Sequence, residues 1–201
     1  LGLVSVLRGT MDHLVTGIVL SGGQGRRAGG ADKGLLPWKD STQIETLLKV
    51  LRPQVDRLII SANRNLERYR ELADIVVSDD LADYQGPLAG VAAALALVET
   101  NIALVVPCDC PNPPADLASR LLRALEDGQH QLVYAHDGTR AQYLFCALRK
   151  NSLESLRHYL AEGGRSVKGW HLGISYGVVD FSDCPESFAN HNRRQPSHRA
   201  E

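Results

Sequence analysis

Two short stretches carry residue types that fit phosphate chemistry. The first, LSGGQGRRAGGADKG at residues 20–34, sets Arg27 and Lys33 in a glycine-rich run directly after apolar residues. Backbone N–H groups and cationic side chains together make an anion-binding surface, and glycine supplies the positive φ values that a loop closing on a substrate needs. The second, VVPCDCP at 105–111, sets Asp109 between Pro107 and Pro111 after another apolar run. A carboxylate at the tip of a buried parallel strand is a suitable ligand for Mg²⁺, a hard cation shared with phosphate oxygens. A capping role for Asp109 in a turn is the plainer alternative.

Other nucleotide motifs fit less well. Gly23-x-Gly25-x-x-Ala28 matches the dinucleotide fingerprint, but the loop runs on through Gly29, Gly30, Asp32 and Lys33, too long for a tight turn into a helix. No acidic residue follows near Ser61-Ala62-Asn63 to take a ribose hydroxyl. A P-loop requires Gly before its lysine, and here Asp32 stands there. The remaining readings are a loop that wraps a triphosphate and, more plainly, a surface connection without a ligand. A third stretch, SDDLADYQGPLAG at 78–90, leaves an apolar run through Asp79 and Asp80. Its Gly86-Pro87 opens a helix whose N-terminus can face a nucleotide, and Gly86 and Gly90 permit close approach.

These residues need elements that bring strand tips together. Apolar runs at Leu14–Leu20, Arg57–Ile60, Ile75–Val77 and Ile102–Val106 are too continuous for half-exposed strands. Helical patterns at Gln43–Leu51, Asn65–Ala73, Leu88–Glu99 and Pro114–Glu126 alternate with them, which predicts a parallel sheet covered on both faces. Beyond Gly128, Gln131–His136 and Gln142–Leu148 read as strands joined by DGTR, so at least one antiparallel strand is expected. Asn151–Glu162 reads as an amphipathic helix and Ser175–Phe181 as a last strand.

The totals narrow the classes. With 201 residues, 44% hydrophobic, and a net charge of −1, the chain is expected to form one α/β domain over residues 11–192, without a nucleic-acid partner. Residues 1–10, before the single Met11, read as an upstream extension, and 193–201 as a polar disordered tail. The longest apolar stretch, Gly90 to Val98, is far short of the roughly 20 residues a bilayer requires, so no membrane association is expected. The four cysteines contain one C-x-C and no C-x-x-C pair, which predicts reduced thiols and a cytoplasmic location.

In chain order, LSGGQGRRAGGADKGLL, ANR at 62–64, DDLADYQGPLAG, PCDCP, HDG at 136–138, VDFSD at 179–183 and FANHN at 188–192 resemble the molybdenum cofactor guanylyltransferases, the MobA-type molybdopterin-guanine dinucleotide synthases. The glycine-loop motif marks a wider nucleotidyltransferase superfamily, while the LADYxGPLAG and FxNxN patterns favour this branch. The resemblance implies a three-layer α/β/α fold of the nucleotide-diphospho-sugar transferase type, Rossmann-like, with a mostly parallel sheet and an antiparallel strand. It implies transfer of GMP from Mg·GTP to the phosphate of molybdopterin carrying molybdenum, with release of pyrophosphate. GTP and molybdopterin are the implied small-molecule partners, and molybdoenzymes or other cofactor-biosynthesis proteins the protein partners it admits.

By the same resemblance, Leu20, Ser21, Gly22 and Gly23 contact the nucleotide through their backbone, and Arg27 and Lys33 hold phosphates. Ser61, Asn63, Asp79, Gly86 and Gly90 line the nucleotide pocket, Asp109 binds Mg²⁺ and a phosphate, and Asn190 and Asn192 face the pterin. Ser21 stands where the family usually carries Ala, Ala28 where it carries Met, and Ser61 where it can carry Asn. AQYLFCALR at 141–149 lacks the usual His-Pro, and FANHNRRQP lacks the usual Thr-Pro-Glu continuation. Two rival readings stay open: a relative that transfers CMP or another NMP, and a non-catalytic module that binds nucleotide or cofactor and delivers the cofactor to a partner.

Overall fold

Apolar side chains on both faces bury all six residues of β1 (Val15–Leu20) in the middle of a seven-stranded sheet, in a computed structural model that describes residues 14–22, 32–79 and 86–191. Parallel partners flank it: β4 (Arg57–Ser61) on one side and β6 (Ile102–Pro107) on the other, with β5 (Ile75–Val77) beyond β4. Between them in sequence stand a two-stranded ribbon, β2 (Pro37–Trp38) and β3 (Ser41–Thr42), then α1 (Gln43–Leu51), α2 (Leu66–Arg70) and α3 (Pro87–Leu95). After β6 come α4 (Leu117–Asp127), β7 (Leu132–His136), β8 (Ala141–Arg149), α5 (Ser152–Ala161), α6 (Val167–Leu172) and β9 (Tyr176–Asp180). The sheet order is β5-β4-β1-β6-β8-β7-β9, with β8 antiparallel to both neighbours and β9 parallel to β7.

Alternation along β1 divides the core. Val15 and Val19 join α1, α2 and α4 on one face, through Ile44, Leu47, Leu51, Tyr69, Leu117 and Leu121. Ile18 and Leu20 join α3, α5 and α6 on the other, through Leu88, Val91, Leu95, Leu156 and Trp170. This is the expected three-layer α/β/α arrangement with one antiparallel strand. Each fully buried leucine or isoleucine contributes roughly 2 kcal/mol relative to exposure.

Local signals set the helix ends. At α1, the Thr42 hydroxyl accepts from the Glu45 N–H, and the Glu45 carboxylate accepts from the Thr42 N–H at 3.0 Å, a capping box. Hydrogen bonds from the hydroxyls of Ser41 and Thr42 hold the Glu45 carboxyl down to about 2. The helix expected over Asn65–Ala73 is shorter, because Asn65 takes a left-handed φ of 51° and the N–H groups of Leu72 and Ala73 turn back to the Tyr69 carbonyl. The helix expected from Pro114 begins at Leu117, after a turn closed by the Leu117 N–H on the Pro114 carbonyl. The one expected over Leu88–Glu99 begins at Pro87, ends at Leu95 and passes into tight turns. The β2–β3 ribbon and α6 have no counterpart in the sequence reading. No helix among the described residues is long and apolar enough to cross a membrane.

Candidate active site

The C-terminal ends of β5, β4, β1 and β6 lie side by side, and each carries residues singled out by the sequence. At the tip of β1, the Ser21 N–H donates to the Ser61 carbonyl at 2.8 Å and the Leu20 carbonyl accepts from the Cys108 N–H at 3.1 Å. These bonds continue the ladder one step past the strands, so the three tips keep a fixed spacing. Gly22 is exposed, and a Cβ added to it would meet nothing nearer than the Ser61 carbonyl at 4.0 Å. Its backbone therefore stays open to an incoming group.

Beside this tip, Gly90 presses α3 against β4. A Cβ at Gly90 would fall 2.6 Å from the Ser61 hydroxyl, a distance no real side chain tolerates. Gly86, just before α3, has φ +83°, a conformation that only glycine adopts at low cost. One strand further out, the Asn63 side chain donates to the Asp79 carboxylate at 2.7 Å and accepts from the Asp79 N–H at 3.1 Å. This two-way bond pins the exit of β5 to the exit of β4.

On the other side of β1, Lys33 reaches Asp109. The Lys33 Nζ lies 3.4 Å from the Asp109 Oδ2, with side-chain exposures of 36% and 15%. A half-open pair at this separation adds at most about 1 kcal/mol to stability. Asn190 Nδ2 donates to the same Oδ2 at 2.8 Å, and the His191 N–H donates to the Asp109 carbonyl at 2.9 Å. The segment that carries Asn190 is held in turn by the Gln43 amide on the His191 carbonyl at 2.8 Å and by the Trp38 ring, 4.2 Å from the His191 ring. Cys108 and Cys110 flank Asp109. Burial, then the Asp109 charge, pushes the Cys108 thiol up to about 12 and the Cys110 thiol higher still. Both stay neutral, so Asp109 is the anionic group of the motif.

The structure thus brings Leu20, Ser21, Gly22, Ser61 and Gly90 to one point, Asn63 and Asp79 to a second beside it, and Lys33, Asp109 and Asn190 to a third. Gly86 stands at the start of α3. Gly23, Arg27 and Asn192 lie outside the described residues. Asn190, which the resemblance assigns to the pterin side, has its amide on the Asp109 carboxylate. The sequence reading missed Asp32 and Tyr69: the Tyr69 hydroxyl donates to Asp32 Oδ1 at 2.6 Å, next to Lys33. The available signal was a tyrosine on the apolar face of a helix, whose hydroxyl needs a buried partner.

Asp109 can serve a metal ion as one hard oxygen ligand. No group of three or more His, Cys, Asp or Glu side chains that could hold a metal occurs among the described residues. A divalent metal held by one protein carboxylate can complete its shell with substrate phosphates and water.

Known proteins resemble the chain in sequence and in fold. A family model described as MobA-like NTP transferase domain matches residues 17–173. A protein of Pasteurella multocida (strain Pm70) named molybdenum cofactor guanylyltransferase is 42% identical over 175 residues, which cover 87% of this chain and 93% of that protein. A protein of the same name from Shewanella sp. (strain ANA-3) is 38% identical over 189 residues, covering 94% and 96%. The crystal structure of molybdopterin-guanine dinucleotide biosynthesis protein A from Archaeoglobus fulgidus superposes with a TM-score of 0.70 at 19% identity, over 88% of this chain and 92% of that one. That of 2-C-methyl-D-erythritol 4-phosphate cytidylyltransferase from Thermus thermophilus gives 0.60 at 13%, over 90% and 92%. These two likenesses carry the fold alone, while the sequence matches carry the family. The chain belongs to the MobA-like NTP transferase family, in the branch of the molybdenum cofactor guanylyltransferases.

Proposed function

We propose that the chain, acting as one domain over residues 11–192, transfers GMP from GTP to the phosphate of molybdopterin carrying molybdenum and releases pyrophosphate. The observation that carries this reading is the meeting of Lys33, Asp109 and Asn190 beside the open backbone of Gly22. A cation, a metal-competent carboxylate and exposed main chain at adjacent strand tips are what a triphosphate requires.

Each part then has a task. The backbone of Leu20, Ser21, Gly22 and Gly23 lies along the nucleotide, with Ser61, Asn63, Asp79, Gly86 and Gly90 shaping its pocket. Lys33 and Arg27 bind phosphate oxygens and offset the charge that builds on the departing pyrophosphate. Asn190 and Asn192 orient the acceptor, whose phosphate oxygen attacks the α-phosphorus of GTP in line as the bond to the β-phosphate breaks. A phosphate monoester is already ionised near neutral pH, so no general base is needed. Asp109 would hold Mg²⁺, which when bound supplies further neutralisation of phosphate charge. Four unpaired thiols support a reducing compartment, the cytoplasm.

The test is pyrophosphate release with GTP, CTP, ATP or UTP, each with Mg²⁺ and molybdenum-loaded molybdopterin. Release with GTP well above the others supports the proposal. Preference for CTP would reassign the base, and tight GTP binding without release would favour a non-catalytic module.

A further inference from the structure

We infer that Tyr69 is a positioning residue, whose buried hydroxyl acts through Asp32 to hold the main chain that presents Lys33 to Asp109. This rests on the functional reading above and adds two residues to it.

Tyr69 is fully buried, and its hydroxyl lies 2.5 Å from the Ser21 hydroxyl and 2.6 Å from Asp32 Oδ1. A phenol has one proton and an ionised carboxylate has none to give. Tyr69 therefore donates to Asp32, and Ser21 donates to Tyr69. Burial, then the Asp32 partner, pushes the Tyr69 phenol far above its ordinary range and keeps that proton in place. The same carboxylate accepts from the Gly34 N–H at 3.2 Å and from the Asn65 amide at 3.0 Å. Asp32 is thereby tied at once to the buried hydroxyl, to its own turn and to the entry of α2.

Lys33 sits between two residues docked on this centre. On its far side, a Cβ at Gly34 would fall 2.5 Å from the Ser21 hydroxyl oxygen and 2.6 Å from that of Tyr69, so the chain there lies directly against the pair. The Gly34 carbonyl accepts from the Ile44 N–H at 2.9 Å, which fastens the turn to the start of α1. Only the Lys33 side chain leaves the anchor, and it extends to Asp109. A flexible lysine stem gains precision when its own backbone is fixed, as a charge that must meet a phosphate requires. Ser21 places a hydroxyl on the far side of the phenol and orients it toward Asp32.

A double-mutant cycle tests this. Tyr69→Phe, Lys33→Ala and the double variant are compared by kcat and KM for GTP from pyrophosphate release, by GTP Kd and by thermal melting. Tyr69→Phe is expected to melt cooperatively and to lower kcat/KM about 10-fold; in the Lys33→Ala background it is expected to change kcat/KM less than about 2-fold, since no ammonium remains to be positioned. An equal loss in both backgrounds would overturn the inference and leave the hydroxyl as support for packing. Should Tyr69→Phe fail to fold, Asp32→Ala, at a half-buried position, runs the same cycle with the same expectations. Wild-type protein that binds GTP but releases no pyrophosphate would contradict the functional reading, and the cycle read on GTP Kd would still decide this inference. Absence of GTP binding would overturn both.

Discussion

The β5-β4-β1-β6 half of the sheet runs parallel, with every residue of β1 buried, whereas in the other half β8 runs antiparallel to β6 and β7, and β9, parallel to β7, is an edge strand that turns Tyr176 and Val178 to solvent. In the first half, main-chain bonds across the strand tips set the site: Ser21 to Ser61, and Cys108 to Leu20. In the second, side chains add to the main-chain bonds. The Arg120 guanidinium lies 3.8 Å above the Phe181 ring and pairs with Asp183 at 3.0 Å, while Phe188 packs edge-on against Phe145 and Phe181. Main-chain bonds survive most side-chain exchanges, provided glycine stays at Gly86 and Gly90, and side-chain fastening does not. The proposed nucleotide side should therefore tolerate exchanges that spare its packed glycines and the Ser21–Tyr69–Asp32 contacts, and the proposed acceptor side should respond to each anchor it loses.

The largest effect is expected at Asp109, where the halves meet. Asp109→Asn keeps the shape and the contact to Asn190 but removes the charge, and kcat should fall about 10³-fold with the fold intact, as read by pyrophosphate release and melting. Next, Phe188→Ala empties a fully buried ring site two residues before Asn190 and should cost about 3–5 kcal/mol in urea unfolding. If the protein remains folded, KM for the acceptor should rise more than Kd for GTP; the reverse order would contradict the division of labour.

Smaller effects are expected at Gly90 and Asp137. Gly90→Ala drives a methyl group into the Ser61 hydroxyl and should cost about 2 kcal/mol, weakening GTP binding while sparing the acceptor. Asp137, in the β7–β8 turn, is the mildest case. Burial alone would raise its carboxyl, but the N–H groups of Arg140 and Thr139 and the Gln142 amide outweigh that and hold it at about 2, below the ordinary 3.8. A depressed folded value contributes stability above about pH 4 that is lost as pH falls toward 2. Asp137→Asn should lose about 1 kcal/mol at pH 7, and its deficit should shrink across that window in acid unfolding.

The parallel half was legible because its signals are local. Continuous apolar runs gave β1, β4, β5 and β6 nearly to the residue, and the strand-tip rule pointed to Asp109 and Asp79. The DGTR turn gave the β7–β8 hairpin, but its placement with β8 against β6 depends on pairing between distant segments. The β2–β3 ribbon has only two residues per strand, too few for a periodic pattern. Helix α6 has six residues, with Gly169 inside and Gly173 at its end, which propensity does not favour. The Tyr69–Asp32 contact joins residues 37 apart through one hydroxyl, and no spacing rule reveals it. Patterns of hydrophobicity report which face is buried; they do not report which buried polar atom meets which.

In the proposed reaction the strand-tip site holds GTP for attack at its α-phosphorus. Following isotopic label from GTP into the molybdopterin product tests it most directly. Label placed in the α-phosphate should appear in the dinucleotide product, and label placed in the γ-phosphate should appear only in pyrophosphate. Recovery of γ-label in the acceptor, or of α-label only in unbound nucleotide, would contradict the account.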